Sequence, residues 1–167
     1  MIKLMLAALL LAGIATPASS CDVTLGPGSV VRYSEGRTGG LASVGCVAKT
    51  WEVRGWWIGE QRIYDGAAVI EAYPALSASR LWRFREGKRF EPILGFGLLA
   101  KGAQRCAHDG ELDCNRQVPL PFCFLVQAGA RIGDTLWTAF HCSNAGLDHG
   151  PEAKNLGLDG IRYEVWF

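Results

Sequence analysis

Near the C-terminal end the chain reads Phe140-His141-Cys142-Ser143-Asn144-Ala145-Gly146. In an extended strand, residues two apart point to the same side with Cα atoms roughly 6.5 to 7 Å apart. His141 and Ser143 therefore share a face, and an imidazole can reach a hydroxyl there. A serine hydroxyl is a weak nucleophile until a neighbouring base takes its proton. Histidine is the usual base, because its unperturbed pKa lies near neutrality. The third requirement is an acid that fixes the imidazole tautomer and stabilises the imidazolium. Asp159 is the candidate, because it opens the next strand, which pairs with the His141 strand across a loop. By parity Asp159 lies on the face of Ile161, Tyr163, Val165 and Phe167, and His141 on that of Ala139 and Trp137. A site in such apolar company, on the outside of a sheet, suits a lipid substrate. Taken alone, a His-x-Ser pair is also what two surface residues at a strand end look like.

The elements that must hold these groups are strands. Segments of near-alternating hydrophobicity run Val23 to Tyr33, Leu41 to Val53 and Trp56 to Tyr64. Ser34-Glu35-Gly36, Gly39-Gly40 and Asp65-Gly66 supply turn chemistry between them. A fourth strand lies within Ala67 to Tyr73 and Leu76 to Arg85, with a bulge or corner at Pro74. Glu86-Gly87-Lys88 turns the chain into Arg89 to Ala100. Lys101 to Val118 is polar and reads as a long loop. Leu120 to Ile132 and Thr135 to Cys142 form a hairpin about Gly133-Asp134, and Leu158 to Phe167 is the last strand. The expected fold is all-β: a single eight-stranded antiparallel up-and-down transmembrane barrel over residues 21–167. Closure removes open edges and satisfies backbone groups that hydrocarbon cannot.

The start of the chain points to export. Lys3, the apolar run Leu4 to Ala12 and the small-residue end Ala18-Ser19-Ser20 read as a signal peptide over residues 1–20. The run is shorter than the roughly 18 residues a spanning helix needs. Cys21 raises a lipoprotein reading, but Ala18 stands where Leu is expected. Five of the six cysteines lie beyond Cys21, which completes an even set and points to disulfides in an oxidising compartment. Cys106 and Cys114 bracket a polar loop and are the pair to propose. The other pairings do not follow from sequence. Metal spacing is missing, with neither C-x-x-C nor Cys/His pairs at finger intervals, so the expected chemistry needs no metal or cofactor. With a net charge of +1 and interspersed signs, there is no basic stripe for nucleic acid.

The chain's end argues for the membrane. Ile161, Tyr163, Val165 and Phe167 share one face, leaving Arg162, Glu164 and Trp166 on the other, as a lipid-facing strand requires. If the chain starts in the periplasm, the Lys101 to Val118 and Asn144 to Asn155 loops lie outside. The tight turns at Glu86-Gly87 and Gly133-Asp134 then lie inside. Trp51, Trp56, Trp57 and Trp137 are expected in an interfacial belt rather than a core.

His141-x-Ser143-Asn144-Ala145-Gly146, a short loop, Asn155-x-Gly157-x-Asp159 and a final alternating strand resemble the lipid A 3-O-deacylase (PagL) family. The likeness is at motif level from Phe96 to Phe167 and architectural before that. It implies an outer-membrane barrel that removes the ester-linked 3-position acyl chain of lipid A, so that lipopolysaccharide is the partner molecule. Matched by position, Ser143 is the nucleophile and His141 the general base, and Asn144 stands for the family's Asn beside that Ser. The Gly146 backbone and the Asn155 side chain are candidates for the oxyanion site. Asn144 and Asn155 equally fit ordinary loop turns. The chain departs from the family in two ways. Asp159 stands where the family usually has Glu, and the loop after Gly146 is longer, carrying His149, Glu152 and Lys154. Glu152 is the back-up acid.

Two other functions fit the same sequence. One is a structural or adhesive eight-stranded barrel without catalysis. The other is an exported lipocalin-like barrel, which needs an apolar cavity inside and a polar surface outside.

Overall fold

The computed structural model describes residues 21–32, 38–63, 68–103, 105–108, 121–143 and 158–167. Eight strands close into an antiparallel barrel: β1 (Asp22–Arg32), β2 (Thr38–Ala48), β3 (Trp51–Ile58), β6 (Tyr73–Arg83), β7 (Phe90–Lys101), β9 (Phe122–Ile132), β10 (Thr135–Ser143) and β11 (Leu158–Trp166). Each pairs with its chain neighbour, and β1 pairs with β11 to seal the wall. Three short strands, β4 (Gln61–Ile63), β5 (Ala68–Ile70) and β8 (Cys106–His108), form a separate sheet at the loop end. The expected eight-stranded up-and-down barrel is thus the observed one.

Several local expectations give way. The sequence reads straight from Leu41 to Val53, but the chain reverses at Lys49-Thr50, so β3 begins at Trp51. Lys49 takes a left-handed conformation (φ 53°), a role usually marked by Gly, Asn or Asp. A lysine there sends no turn signal. Gly39 and Gly40, read as a turn, lie within β2. Pro74 is neither corner nor bulge; it sits inside β6 opposite Trp57. It stands next to the first residue of the strand, where proline is tolerated, and its carbonyl still accepts from the Gly102 N–H at 2.7 Å. The stretch before it forms β5, and the loop after β7 contains β8, which pairs with β5. Neither short strand is long enough to show alternation. Residues 1–20 and the Asp65-Gly66 turn lie outside the described residues.

The registers place Asp22, the Lys49-Thr50 turn, the β6–β7 turn, Gly133-Asp134 and Phe167 at one end. This is the turn end; the longer connections lie at the other. Along each strand side chains alternate between lumen and outer wall. The C-terminal strand follows the expected parity. Ile161 and Phe167 are exposed, whereas Arg162 and Glu164 are buried in the lumen. Leu25, Val44, Val53, Trp57, Leu94, Phe96, Leu98, Val126 and Trp137 continue the apolar outer wall on other strands. Trp51, Trp57 and Trp137 point outward as expected of a belt. Trp56 does not: it is 4% exposed and lies in the lumen. Its indole N–H donates to Ser77 Oγ at 2.8 Å, and its ring meets Phe140 edge-on at 5.1 Å.

The lumen is filled, not open. Toward the loop end it holds an apolar cluster that includes Leu41, Trp56, Leu99, Leu125, Phe140 and Leu158. Below that, Arg54 bonds Glu164, Glu52 (3.1 Å) and Thr24 Oγ1 (2.8 Å). Arg162 donates to Gln127 Oε1 at 2.7 Å and to Glu52 at 3.3 Å. Gly45 makes room for this network, because a Cβ there would stand 2.5 Å from the Arg54 guanidinium. Both signs are present, and neither charge is left alone. Removing one partner of such a buried set leaves the others uncompensated. Arg54→Met is therefore expected to destabilise the barrel by about 3 to 5 kcal/mol. Urea unfolding in detergent micelles measures the loss. A midpoint equal to wild type would show that the network contributes nothing.

Two disulfides are present among the described residues, Cys21–Cys46 and Cys123–Cys142, each with Cα atoms 5.5 Å apart. The first ties the start of β1 to β2. The second ties β9 to β10 from the lumen side, where Cys142 is fully buried. The Cys106–Cys114 pairing falls on Cys114, outside the described residues.

Candidate functional site

His141 and Asp159 are direct partners in the ladder between β10 and β11. Their side chains meet on the outer wall, with His141 Nδ1 and Asp159 Oδ1 2.6 Å apart. Both are partly exposed, at 40% and 38%. The shorter acid needs no extra reach, because partners directly opposite on one face stand only about 4.5 to 5.5 Å apart at Cβ. A glutamate would add a methylene to a gap that is already closed. With its Nδ1 engaged, His141 leaves Nε2 as the nitrogen able to act on another group.

Local packing on the lumen side holds this part of the ladder in place. Gly160 follows Asp159 and faces the lumen side opposite Phe140. A Cβ at Gly160 would lie 2.3 Å from the Phe140 ring and 2.6 Å from the Ser29 carbonyl oxygen. Glycine lets Phe140 lie across β11 and reach Trp56. Cys142, next to His141, is held from inside by its disulfide to Cys123. The backbone on both sides of His141 is thus anchored in the lumen while the imidazole stays outside.

Ser143 ends β10 opposite Phe124 and is half-buried. It lies on the same strand face as His141, one pleat repeat toward the loop end. Asn144, Gly146, Glu152 and Asn155 lie outside the described residues, as do His149 and Lys154. The structure therefore brings together His141 and Asp159, with Ser143 on their face.

Four residues that sequence reasoning did not single out complete the surroundings. One row across the wall reads Val31, Asp159, His141, Val126, and the next toward the turn end reads Ser29, Ile161, Ala139, Ala128. Together they line a shallow groove of about 530 Å³. The second row is mostly small, which makes the depression. Trp137 and Tyr163, with ring centroids 4.7 Å apart, stand one row further down. Outward parity marks Ser29, Val31, Val126 and Ala128 in the sequence. Only barrel closure puts β1 beside β11, however, and no local signal carries that.

No family model matches the sequence, and no curated protein matches it. Among solved structures the chain is similar to Ail, the attachment invasion locus protein of Yersinia pestis, in complex with the heparin analogue sucrose octasulfate. That likeness has a TM-score of 0.44 at 12% identity and covers 88% of this chain and 97% of Ail.

Proposed function

We propose that this chain is an outer-membrane esterase that removes the ester-linked 3-position acyl chain of lipid A. The observation that carries the reading is the His141–Asp159 contact on the outer, apolar wall of a closed barrel. A base and an orienting acid have little use there unless the ester arrives from the lipid side. The alternation of apolar exterior and polar lumen is what a bilayer demands of a spanning barrel. The barrel strands, 8 to 12 residues long, suit the roughly 9 to 11 residues a tilted strand needs to cross the hydrocarbon. The faces are the reverse of those a lipocalin-like binding barrel requires.

In this mechanism His141 Nε2 takes the proton of Ser143 as its Oγ attacks the ester carbonyl. Asp159 holds the imidazole in the tautomer with the proton on Nδ1 and stabilises the imidazolium that forms. The leaving sugar hydroxyl receives that proton, and water then cleaves the acyl-enzyme by the same base. Developing charge on the carbonyl oxygen is assigned to the Asn144, Gly146 and Asn155 region, as the resemblance to the deacylase family implies. The groove below the dyad receives the acyl chain against Ile161 and the small residues, and the Trp137–Tyr163 pair forms its floor.

Two experiments bear on this reading. A fluorophosphonate probe is expected to label the folded wild-type protein on the peptide containing Ser143 and to leave His141→Ala unlabelled. A label absent from wild type, or seated on another residue, overturns the nucleophile. The groove makes its own prediction. Ala139→Trp fills the row beneath His141, so long-chain ester hydrolysis is expected to fall by roughly tenfold or more. Short-chain ester hydrolysis stays near wild type. Equal losses on both esters would place the acyl chain elsewhere.

A further inference from the structure

At the turn end, well away from the candidate site, a cleft of about 340 Å³ opens on the outer wall between the β2–β3 turn and the end of β6. Lys49, Thr50, Arg80, Trp82 and Phe84 line it. Arg80 faces outward from β6, directly opposite Trp51, and its guanidinium lies 5.7 Å from the centre of the Trp51 ring. Lys49 is exposed at the turn itself. The one carboxylate at the cleft, Glu86, is engaged by Arg83 at 3.0 Å. Among the described residues, neither Lys49 nor Arg80 forms an ion pair. Trp51, Trp82, Phe84 and Phe90, all about half exposed, form an aromatic girdle at this level of the wall.

An arginine on an apolar outer wall is costly unless its head reaches the interface. Arg80 sits three residues from the end of β6, so its side chain can extend to the headgroup level beside Lys49. We infer that Lys49 and Arg80 clamp the phosphate of an anionic phospholipid from the leaflet at the turn end, its acyl chains lying on Trp51, Trp82 and Phe84. Charge complementarity selects this occupant: two cations, a Thr50 hydroxyl to donate, and apolar rings directly below them. An anionic lipid satisfies all three together, whereas a soluble phosphate ester leaves the rings uncovered. The inference rests on the membrane placement proposed above, and not on catalysis.

The test uses the full mature chain in phosphatidylcholine bilayers with brominated lipids as quenchers. Trp57 and Trp137 are replaced by Phe, so that Trp51 and Trp82 are the outward indoles. Brominated phosphatidylglycerol is expected to quench with an apparent affinity roughly twenty-five-fold above that of brominated phosphatidylcholine, since each of the two basic side chains near an anionic surface strengthens association about fivefold. Lys49→Gln/Arg80→Gln is expected to remove the preference, and the charge-conserving Lys49→Arg/Arg80→Lys to keep it. Equal quenching by the two lipids overturns the inference. So does a preference that survives the neutral double variant, or one abolished by competing sn-glycerol 3-phosphate. If neither lipid quenches, the barrel is not in the bilayer, and the membrane placement fails instead. Should the neutral double variant not fold, Lys49→Gln and Arg80→Gln made singly are each expected to lower the preference; a full preference in both overturns the clamp.

Discussion

Ser143→Ala and His141→Ala are each expected to lower lipid A deacylation by at least about a thousandfold, because nucleophile and base act as one unit. The double variant should be no worse than either single one. Neither change should disturb the fold. His141 and Ser143 lie on the outer wall, partly exposed, and neither belongs to the lumen clusters that fill the barrel. Heat-modifiability on gels, with rates on purified lipid A in detergent, separates a lost reaction from a lost fold. Additive losses, with the double variant far below either single one, would mean that the two residues do not work in one step. A folded Ser143→Ala barrel with full activity would show that the reaction does not use this nucleophile.

The second large effect belongs to the acid. Asp159→Asn keeps the size of the side chain and its place opposite His141, but it removes the charge that orients Nδ1–H. The imidazole then has an amide partner that can favour the wrong tautomer. The expected cost lies between about a hundredfold and ten-thousandfold, less than loss of the nucleophile. Asp159→Glu should retain far more activity than Asp159→Asn, since it keeps a carboxylate of the kind the resembling family carries. It should still fall short of wild type, because the gap is closed already. Glu152→Gln should change little. An inactive Glu152→Gln beside an active Asp159→Asn would move the acid to the loop and leave the esterase reading standing.

Much of this arrangement is legible before any coordinates. Strict period-two patterning from Ile161 to Phe167 is enough to put Asp159 and Arg162 on opposite faces, and the burial of Arg162 and Glu164 against the exposure of Ile161 decides which of them is the outer one. The same parity places His141 and Ser143 together and sends Cys142 inward. What the sequence does not show is mostly pairing at long range. The contribution of Ser29 and Val31 to the groove depends on β1 closing onto β11, at the far end of the chain. The partners of Cys21 and Cys142 likewise follow from strand register and not from spacing. Trp56 misleads for another reason. It adjoins the outward Trp57, so one of the two must face the lumen, and only the register to Ser77 and Phe140 decides which. The Lys49-Thr50 turn is hidden because its left-handed residue is a lysine.

The aspartate at position 159, where the resembling family carries glutamate, also has a physical account. Asp159 and His141 are direct ladder partners, and at that ordinary cross-strand distance the shorter carboxylate already meets Nδ1 at 2.6 Å. On the lumen side, Gly160 leaves room for the Phe140 ring.

The central claim is tested most directly by mass spectrometry of lipid A from Gram-negative cells that express the full chain. Wild type is expected to yield lipid A lighter by one 3-position hydroxyacyl chain, and cells expressing a folded, outer-membrane Ser143→Ala variant to yield unmodified lipid A. Unmodified lipid A from cells with abundant wild-type barrel in the outer membrane, and from the same purified protein given lipid A in detergent, would contradict the account and leave a barrel without this activity.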